Sequence, residues 1–241
     1  MAFYSEFAAY YDDIFPFQQQ TLDFLNHWFQ EASTLLDVGC GTGQYAGRLT
    51  DAGHTCLGID LDPTMIATAQ ERYPDIEFIA YDMLDIASLE RSFDGIFCIG
   101  NTAAHLPRDD FQEFIRDVFD SLNPGGIWIY QVLNWDYIIK QDTYEFPELE
   151  NQEKRVKFFR SYSDISTETV SFRTNLWHSD HLIFDKTIAL FPILSEDYRQ
   201  MHEDMGFSFQ HQFADFKSTP YDTAKDSANI FVFQKPQGAS S

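Results

Sequence analysis

Short continuous apolar runs alternate with stretches of helical period through roughly the first half of the chain. Leu35–Val38, the run ending Gly58–Asp62, Glu77–Ala80, Gly95–Ile99 and Ile127–Leu133 read as five strands. Runs of this length without a polar face suit a parallel sheet covered on both sides. Between them lie helices. After Pro16, Leu22, Leu25, Trp28 and Phe29 recur at helical spacing, and a crossover helix follows Gly43 and ends near Asp51–Gly53. Asp62 as N-cap and Pro63 as first helical residue start another, which runs to about Arg72 and stops before Pro74. Residues Asp109–Leu122 place Phe111, Phe114, Ile115, Val118, Phe119 and Leu122 on one face, and Asn123-Pro-Gly-Gly126 ends that helix. Five strands alternating with helices predict a doubly wound, Rossmann-like α/β sheet.

The pattern then changes. Val156–Tyr162, Thr169–Trp177 and Leu182–Phe191 alternate polar and apolar positions with no helix between them, which predicts an antiparallel meander inserted after the fifth strand. A helix over Ser195–Met205 stops at Gly206, and Phe207–Phe216 with Asn229–Gln234 form an antiparallel pair that completes a seven-stranded sheet. The expected division is a lid and helix over 1–34, a cofactor-binding core over 35–142, a β insertion covering the substrate over 143–192, a helix and hairpin over 193–235, and a disordered tail over 236–241.

Composition narrows the class. With 241 residues, 44% of them hydrophobic and including 24 Phe and 12 Tyr, the chain can bury a large core. A net charge of −22 repels phosphate backbones and argues against nucleic acid and anionic membranes as partners. Cys40, Cys56 and Cys98 are an odd number lying in or beside predicted strands, a pattern of free thiols in a reducing compartment. The first ten residues are aromatic and acidic rather than basic and apolar, and no run approaches a membrane span, so a cytoplasmic monomer or homodimer is expected.

The carboxyl ends of parallel strands hold the ligand in such folds. Here the first ends in Asp37-Val-Gly-Cys-Gly-Thr-Gly43, and Asp60 closes the second, seventeen residues past Gly43. Gly39, Gly41 and Gly43 allow a sharp turn and close approach of backbone to ligand, and Asp60 is placed to accept the hydroxyls of an adenosine ribose. The spacing is G-x-G-x-G led by an acid, whereas a dinucleotide loop reads G-x-G-x-x-G. The segment resembles the S-adenosylmethionine loop of the class I methyltransferases. That resemblance implies a cofactor site of Asp37, Gly39, Cys40, Gly41, Gly43, Asp60, Leu61, Met65, Asp82, Met83, Ile99 and Gly100. Asp82, with Asp85 as rival, accepts the adenine amino group, the Met83 amide donates to the ring, and Ile99 and Met65 sandwich it. A segment before the first strand folds over the cofactor in this class, and the Tyr11-Asp12 pair makes Tyr11 the lid candidate.

Ile96–Pro107, ending Gly-Asn-Thr-Ala-Ala-His-Leu-Pro, resembles the GNS-x-x-HLP segment of glycine N-methyltransferase and its glycine/sarcosine relatives. Asn134–Ile138 and Ala214–Lys217 resemble that group's N-Y-D and D-F-K segments. The resemblance implies that Asn101 faces the substrate, that His105 lies between the cofactor's methionine end and the acceptor, and that Asn134 touches the acceptor. One departure stands out: the arginine that holds glycine's carboxylate in those relatives is Leu133 here. A leucine cannot pair with a carboxylate, so glycine is expected to be a poor substrate, with Arg160 or Arg173 of the meander orienting any anionic group. His178 and His181 lack a third metal ligand at useful spacing, and no metal is expected. The expected reaction is direct methyl transfer from S-adenosylmethionine to a small amine. Two alternatives are O-methylation of a small phenol or acid and a non-catalytic S-adenosylmethionine sensor or scaffold.

Overall fold

A computed structural model describes residues 7–29 and 33–238; the start of the expected lid segment and residues 239–241 of the expected tail lie outside them. The elements are α1 (Tyr11–Ile14), α2 (Gln19–Trp28), β1 (Thr34–Val38), α3 (Gln44–Asp51), β2 (Thr55–Asp60), α4 (Pro63–Arg72), β3 (Glu77–Ala80), β4 (Phe93–Cys98), α5 (Arg108–Ser121), β5 (Leu122–Leu133) and α6 (Trp135–Ile138). There follow β6 (Tyr144–Glu145), β7 (Leu149–Asn151), β8 (Val156–Ser163), β9 (Val170–His178), β10 (His181–Leu190), α7 (Ser195–Met205), β11 (Ser208–Phe213) and β12 (Ala228–Gln234).

The main sheet has the order β11-β12-β5-β4-β1-β2-β3. β1 to β5 are parallel, and β12 and β11 close one edge in antiparallel pairing. Strand alternation builds its two faces. Ile96, Cys98, Trp128, Tyr130, Phe231 and Phe233 pack with Phe111, Phe114 and Ile115 of α5 and Tyr198 of α7. Their strand neighbours Phe97, Ile129, Ile230 and Val232 pack on the opposite face with Leu22 and Leu25 of α2, Leu49 of α3 and Ile66 of α4. Fully burying one such side chain is worth about 1.5–3 kcal/mol, so two continuous cores hold the sheet between helices. The strand order reverses direction between β1 and β4, and their loops diverge there to open the crevice.

α4 begins as the sequence predicts, with Asp62 Oδ1 accepting from the Thr64 and Met65 amides. α7 ends at Gly206, whose φ is 102°. One boundary differs. α5 stops at Ser121, and the Asn-Pro-Gly-Gly stretch lies inside β5 as a bulge: Leu122 pairs with Phe93 and Ile127 with Gly95. Turn residues here serve a strand that advances five positions while its neighbour advances two.

A second, antiparallel sheet has the order β10-β9-β8-β6, with β7 also on β8. Val156, Phe158, Leu176 and Phe184 on its inner face enclose Phe7, Ala8 and Ile14 of the N-terminal segment together with Met65 of α4. Tyr162 stacks on Trp135 just beyond β5, with ring centroids 5.5 Å apart. These contacts lay the second sheet beside the carboxyl end of the main one, with the N-terminal segment between.

Candidate active site

The glycine loop is fixed from below. The Gly39 and Cys40 amides both donate to the Ile59 carbonyl, at 2.8 and 2.9 Å. Gly39 takes φ 73°, and a Cβ there would stand 2.7 Å from Thr102 Cγ2, so the turn and the close packing each require glycine. Gly41 takes φ 53° and lies against the Tyr11 ring, whose Cε1 would be 3.5 Å from an added Cβ. The lid tyrosine thus lies on the loop.

Asp60 accepts from the Gly41 amide through Oδ2 and from the Asp62 amide through Oδ1, each at 2.9 Å. Burial raises its pKa and those backbone donors oppose the rise. Asp37, 3% exposed, is held well above the usual carboxylate range, first by burial and then by the charge of Asp60; the Ala46 amide works the other way. Two desolvated acids under the loop form a seat for positive charge. Burial also pushes up the Cys40 thiol, whose sulfur stands against Gly58 of β2, so Cys40 offers the loop its backbone. Leu61, 53% exposed, is the open apolar side chain beside Asp60.

At the ends of β4 and β5, Gly100 N–H donates to Gln131 Oε1 at 2.8 Å and Asn101 Oδ1 accepts from the Leu133 amide at 3.0 Å. Asn101 adopts φ 65° and opens the 3-10 turn Thr102–His105. His105 ends that turn; burial lowers its pKa and favours the uncharged ring at neutral pH. Asp82 caps the turn after β3 by accepting from Leu84 N–H at 3.0 Å, with Met83 beside it. Ile99 is partly buried at the end of β4.

Several sequence expectations change. Met65 is 2% exposed and packs beneath the N-terminal segment, so it does not face an adenine; Leu61, opposite Ile99 in the strand order, presents the accessible apolar surface. Asn101 spends one lone pair of its side-chain oxygen on β5, which fixes the side chain and leaves its amide nitrogen as the donor for a ligand. Asn134 is fully buried: its amide donates to Thr223 and Asp226 carbonyls at 3.0 and 2.8 Å, and its oxygen accepts from Tyr137 N–H. It anchors the segment before β12 and does not touch an acceptor. Arg173 is exposed and pairs through Nε and Nη2 with Asp185 at 2.9 and 2.5 Å. That pair occupies the outer face of the second sheet, where strand alternation turns Arg173 away from buried Val170 and Leu176. Arg160 lies on the inner face with Phe158 and Tyr162.

The sequence reading missed a latch. Asp12 Oδ1 accepts from Thr42 Oγ1 at 2.6 Å and from Gln44 Nε2 at 2.5 Å, and Oδ2 pairs with Arg72. It ties α1 to the glycine loop and to the end of α4. The acid next to Tyr11 was its sequence signal, although nothing in the sequence marked Thr42, Gln44 and Arg72 as its partners. A surface depression of about 680 Å³ is bordered by Lys157, Arg160, Arg173 and Trp177 of the second sheet and shares no residue with the glycine loop.

The fold, the loop and the second acid are those of an S-adenosylmethionine-dependent methyltransferase, and residues 35–126 match the family described as a methyltransferase domain. The chain is 28% identical over 233 residues to a putative methyltransferase, YqeM, of Bacillus subtilis, covering 90% of this chain and 91% of that one. It is 24% identical over 231 residues to the glycine/sarcosine N-methyltransferase of Halorhodospira halochloris, covering 91% and 84%. A stretch of 76 residues, 32% of this chain and 29% of the other, is 40% identical to the dTDP-3-amino-3,6-dideoxy-alpha-D-glucopyranose N,N-dimethyltransferase of Streptomyces fradiae. In fold it is similar to an S-adenosylmethionine-dependent methyltransferase of Clostridium acetobutylicum, with a TM-score of 0.82 at 17% identity over 97% of this chain and 99% of that one. S-adenosylmethionine is the cofactor, and the residues present fit it: buried acids for a cationic ligand, free lone pairs on Asp60, and a tyrosine closing over Gly41. No helix among the described residues is long and apolar enough to cross a membrane.

Proposed function

We propose that the protein methylates the nitrogen of a small amine, in the cytoplasm. The N-terminal segment, packed between α4 and the second sheet with Tyr11 on Gly41, covers the loop and supports a small acceptor. The relatives that act on glycine and on an amino sugar support nitrogen as the atom methylated. The observation that carries the reading is His105, a histidine kept uncharged by burial at the carboxyl end of β4.

Bound S-adenosylmethionine supplies a methyl group already activated by its sulfonium. The chain's work is to orient, to exclude water and to move one proton. Asp60 holds the ribose with the lone pairs its backbone donors leave free, and Leu61 and Ile99 take the two faces of the adenine. The second oxygen of Asp82 takes the amino group, and the Met83 amide donates to the ring. Tyr11, held by the Asp12 latch, closes the methionine end. Alignment of this kind supplies roughly 7–11 kcal/mol in favourable cases. An ammonium has no lone pair to attack with, so the acceptor must lose its proton; neutral His105 Nδ1 or Nε2 takes it directly or through one water. Leu133 offers a glycine carboxylate no charge, and glycine is expected to be a poor substrate.

The test is release of S-adenosylhomocysteine from a panel of amines, amino acids and phenols. Amines should turn over, and His105→Ala should lower kcat by about 100-fold or more, the usual size of general-base catalysis, with S-adenosylhomocysteine affinity unchanged within a few-fold. Turnover of phenols alone would replace the amine by an oxygen acceptor, and equal loss of binding and turnover would make His105 a cofactor contact.

A further inference from the structure

We propose that Arg160 is the anion receptor of the acceptor site, so that the amine methylated here carries a carboxylate or a phosphate. The assignment rests on the methyltransferase reading above and deepens it by naming the group that accompanies the reacting nitrogen.

Arg160 differs from the chain's paired arginines. Acids outnumber bases 38 to 16, and Arg72, Arg91, Arg108, Arg173 and Arg199 each hold a carboxylate. The Arg160 side chain has no ion pair or hydrogen bond with any described residue, and its Nε is buried without a partner, while its carbonyl accepts from the Phe146 N–H. Burial lowers its pKa, yet a guanidinium stays charged in a protein. What surrounds it is aromatic: the guanidinium carbon lies 4.7 Å from the Phe146 ring centroid, 5.6 Å from Phe15 and 5.9 Å from Phe158. Rings attract a cation and exclude water, but they give its planar fork of N–H donors nothing strong to bind. Arg160 is half-buried and borders the surface depression of the second sheet, and a guanidinium with open donors there is complementary to a carboxylate or phosphate, which it binds through two parallel hydrogen bonds.

Its position joins that receptor to the site. Phe15 follows the lid helix, lies 5.3 Å from Tyr11 ring to ring, and accepts a hydrogen bond from Gln44 at its carbonyl. Tyr11 in turn lies on Gly41. Two aromatic rings, Phe15 and Tyr11, therefore separate Arg160 from the glycine loop. Tyr162 and Tyr144 act on its charge, Glu145 and Glu150 border the same surface depression without pairing with it, and Tyr162 stacks on Trp135 beyond β5. Leu133 lacks a charge at the end of β5; the second sheet brings one from the opposite side.

Three measurements on the full chain test this. The first titrates acetate and inorganic phosphate into protein saturated with S-adenosylhomocysteine. Millimolar binding of at least one is expected, weakened tenfold or more in Arg160→Gln, and the stronger of the two tells a carboxylate from a phosphate acceptor. The second measures turnover of matched amines with and without the anionic group: amino acids against their methyl esters, and phosphorylated amines against their alcohols. The neutral members should be at least about tenfold poorer in kcat/KM, and Arg160→Gln should raise KM for the anionic members while sparing kcat and S-adenosylhomocysteine affinity. The third is Tm. Removing a desolvated, unpaired charge should leave Arg160→Met at least as stable as the parent, whereas a residue kept for packing would lose stability. Anion binding that ignores Arg160, equal turnover of neutral analogues, a large fall in Tm, or a parallel loss of S-adenosylhomocysteine affinity each overturns the proposal. Anion binding lost with Arg160 while no amine is methylated leaves the receptor standing and removes the amine reading.

Discussion

Asp60 commits one lone pair of each carboxylate oxygen to its own backbone, through Gly41 and Asp62. That arrangement fixes the carboxylate and leaves the remaining lone pairs for two hydroxyls. Asp60→Ala should weaken S-adenosylhomocysteine by about 1.5–3 kcal/mol, the range for hydrogen bonds to a charged acceptor; calorimetry showing unchanged affinity would remove the ribose assignment. Asp37 leads to a second expectation. Its carboxyl is held well above the usual range by burial and by Asp60, so it gives up its proton at a higher pH than a free carboxyl does. A sulfonium and an ammonium arriving nearby favour the ionised form, and binding must then release protons and tighten as pH rises. Titration in phosphate and in Tris, whose ionisation enthalpies differ, reads the release directly. S-adenosylmethionine should release more than S-adenosylhomocysteine, and Asp37→Asn should release none. Proton uptake by the parent would contradict the assignment. Both acids were legible in the sequence because the glycine spacing fixes them. Asn134 misled because the carbonyls it holds lie 89 and 92 residues away, and no local pattern announces such partners.

Helix α1 has only four residues and does not stand by its own hydrogen bonds. The Asp12 latch and the apolar cluster around Phe7 hold it against the glycine loop and the second sheet. Asp12→Ala removes a charged acceptor serving Thr42, Gln44 and Arg72. We expect S-adenosylhomocysteine to dissociate roughly 10-fold faster or more, with association little changed, because losses of held contacts fall mainly on the off-rate. A stopped-flow off-rate equal to that of the parent would mean that the lid is not latched there. Among the elements, those with punctuation were readable: Asp62-Pro63 opens α4, Gly206 ends α7, and alternation marks β8, β9 and β10. Those without it were not. α6, β6 and β7 have two to four residues, too few to show a period, and the Asn-Pro-Gly-Gly bulge shows turn chemistry inside a strand. Arg173 alternates as correctly as Arg160; only the pairing of strands, which puts Asp185 opposite Asn175 and near Arg173, decides which face each guanidinium sees.

For the molecule as a whole, acid acts in two opposite directions. The net charge of −22 repels itself, and protonation relieves that repulsion. Inside the larger core, protonation does the reverse. His202 is fully buried, accepts from Trp128 Nε1–H at 3.0 Å and faces the Tyr198 carbonyl with Nδ1 at 2.6 Å, which fixes the neutral Nδ1–H tautomer. It stacks on Phe233 with ring centroids 4.1 Å apart. Desolvation lowers its pKa from 6.5 to about 3. Its folded pKa is depressed, so below about pH 6.5 the unfolded chain binds a proton that the folded one refuses, and stability falls as pH drops from there toward about 3. Linkage sets this loss at about 1 kcal/mol between pH 7.5 and 5.5. Burial lowers His54 and His105 as well, and they add to the same trend. Urea unfolding at these two pH values, in about 0.3 M NaCl to screen the surface charge, separates the effects. His202→Phe leaves the Trp128 N–H unpaired and should be less stable than the parent at both pH values, so its level proves nothing and its slope is the readout. The variant should lose about 1 kcal/mol less than the parent on acidification. Equal losses in the two proteins would show that His202 gains its proton in the folded core.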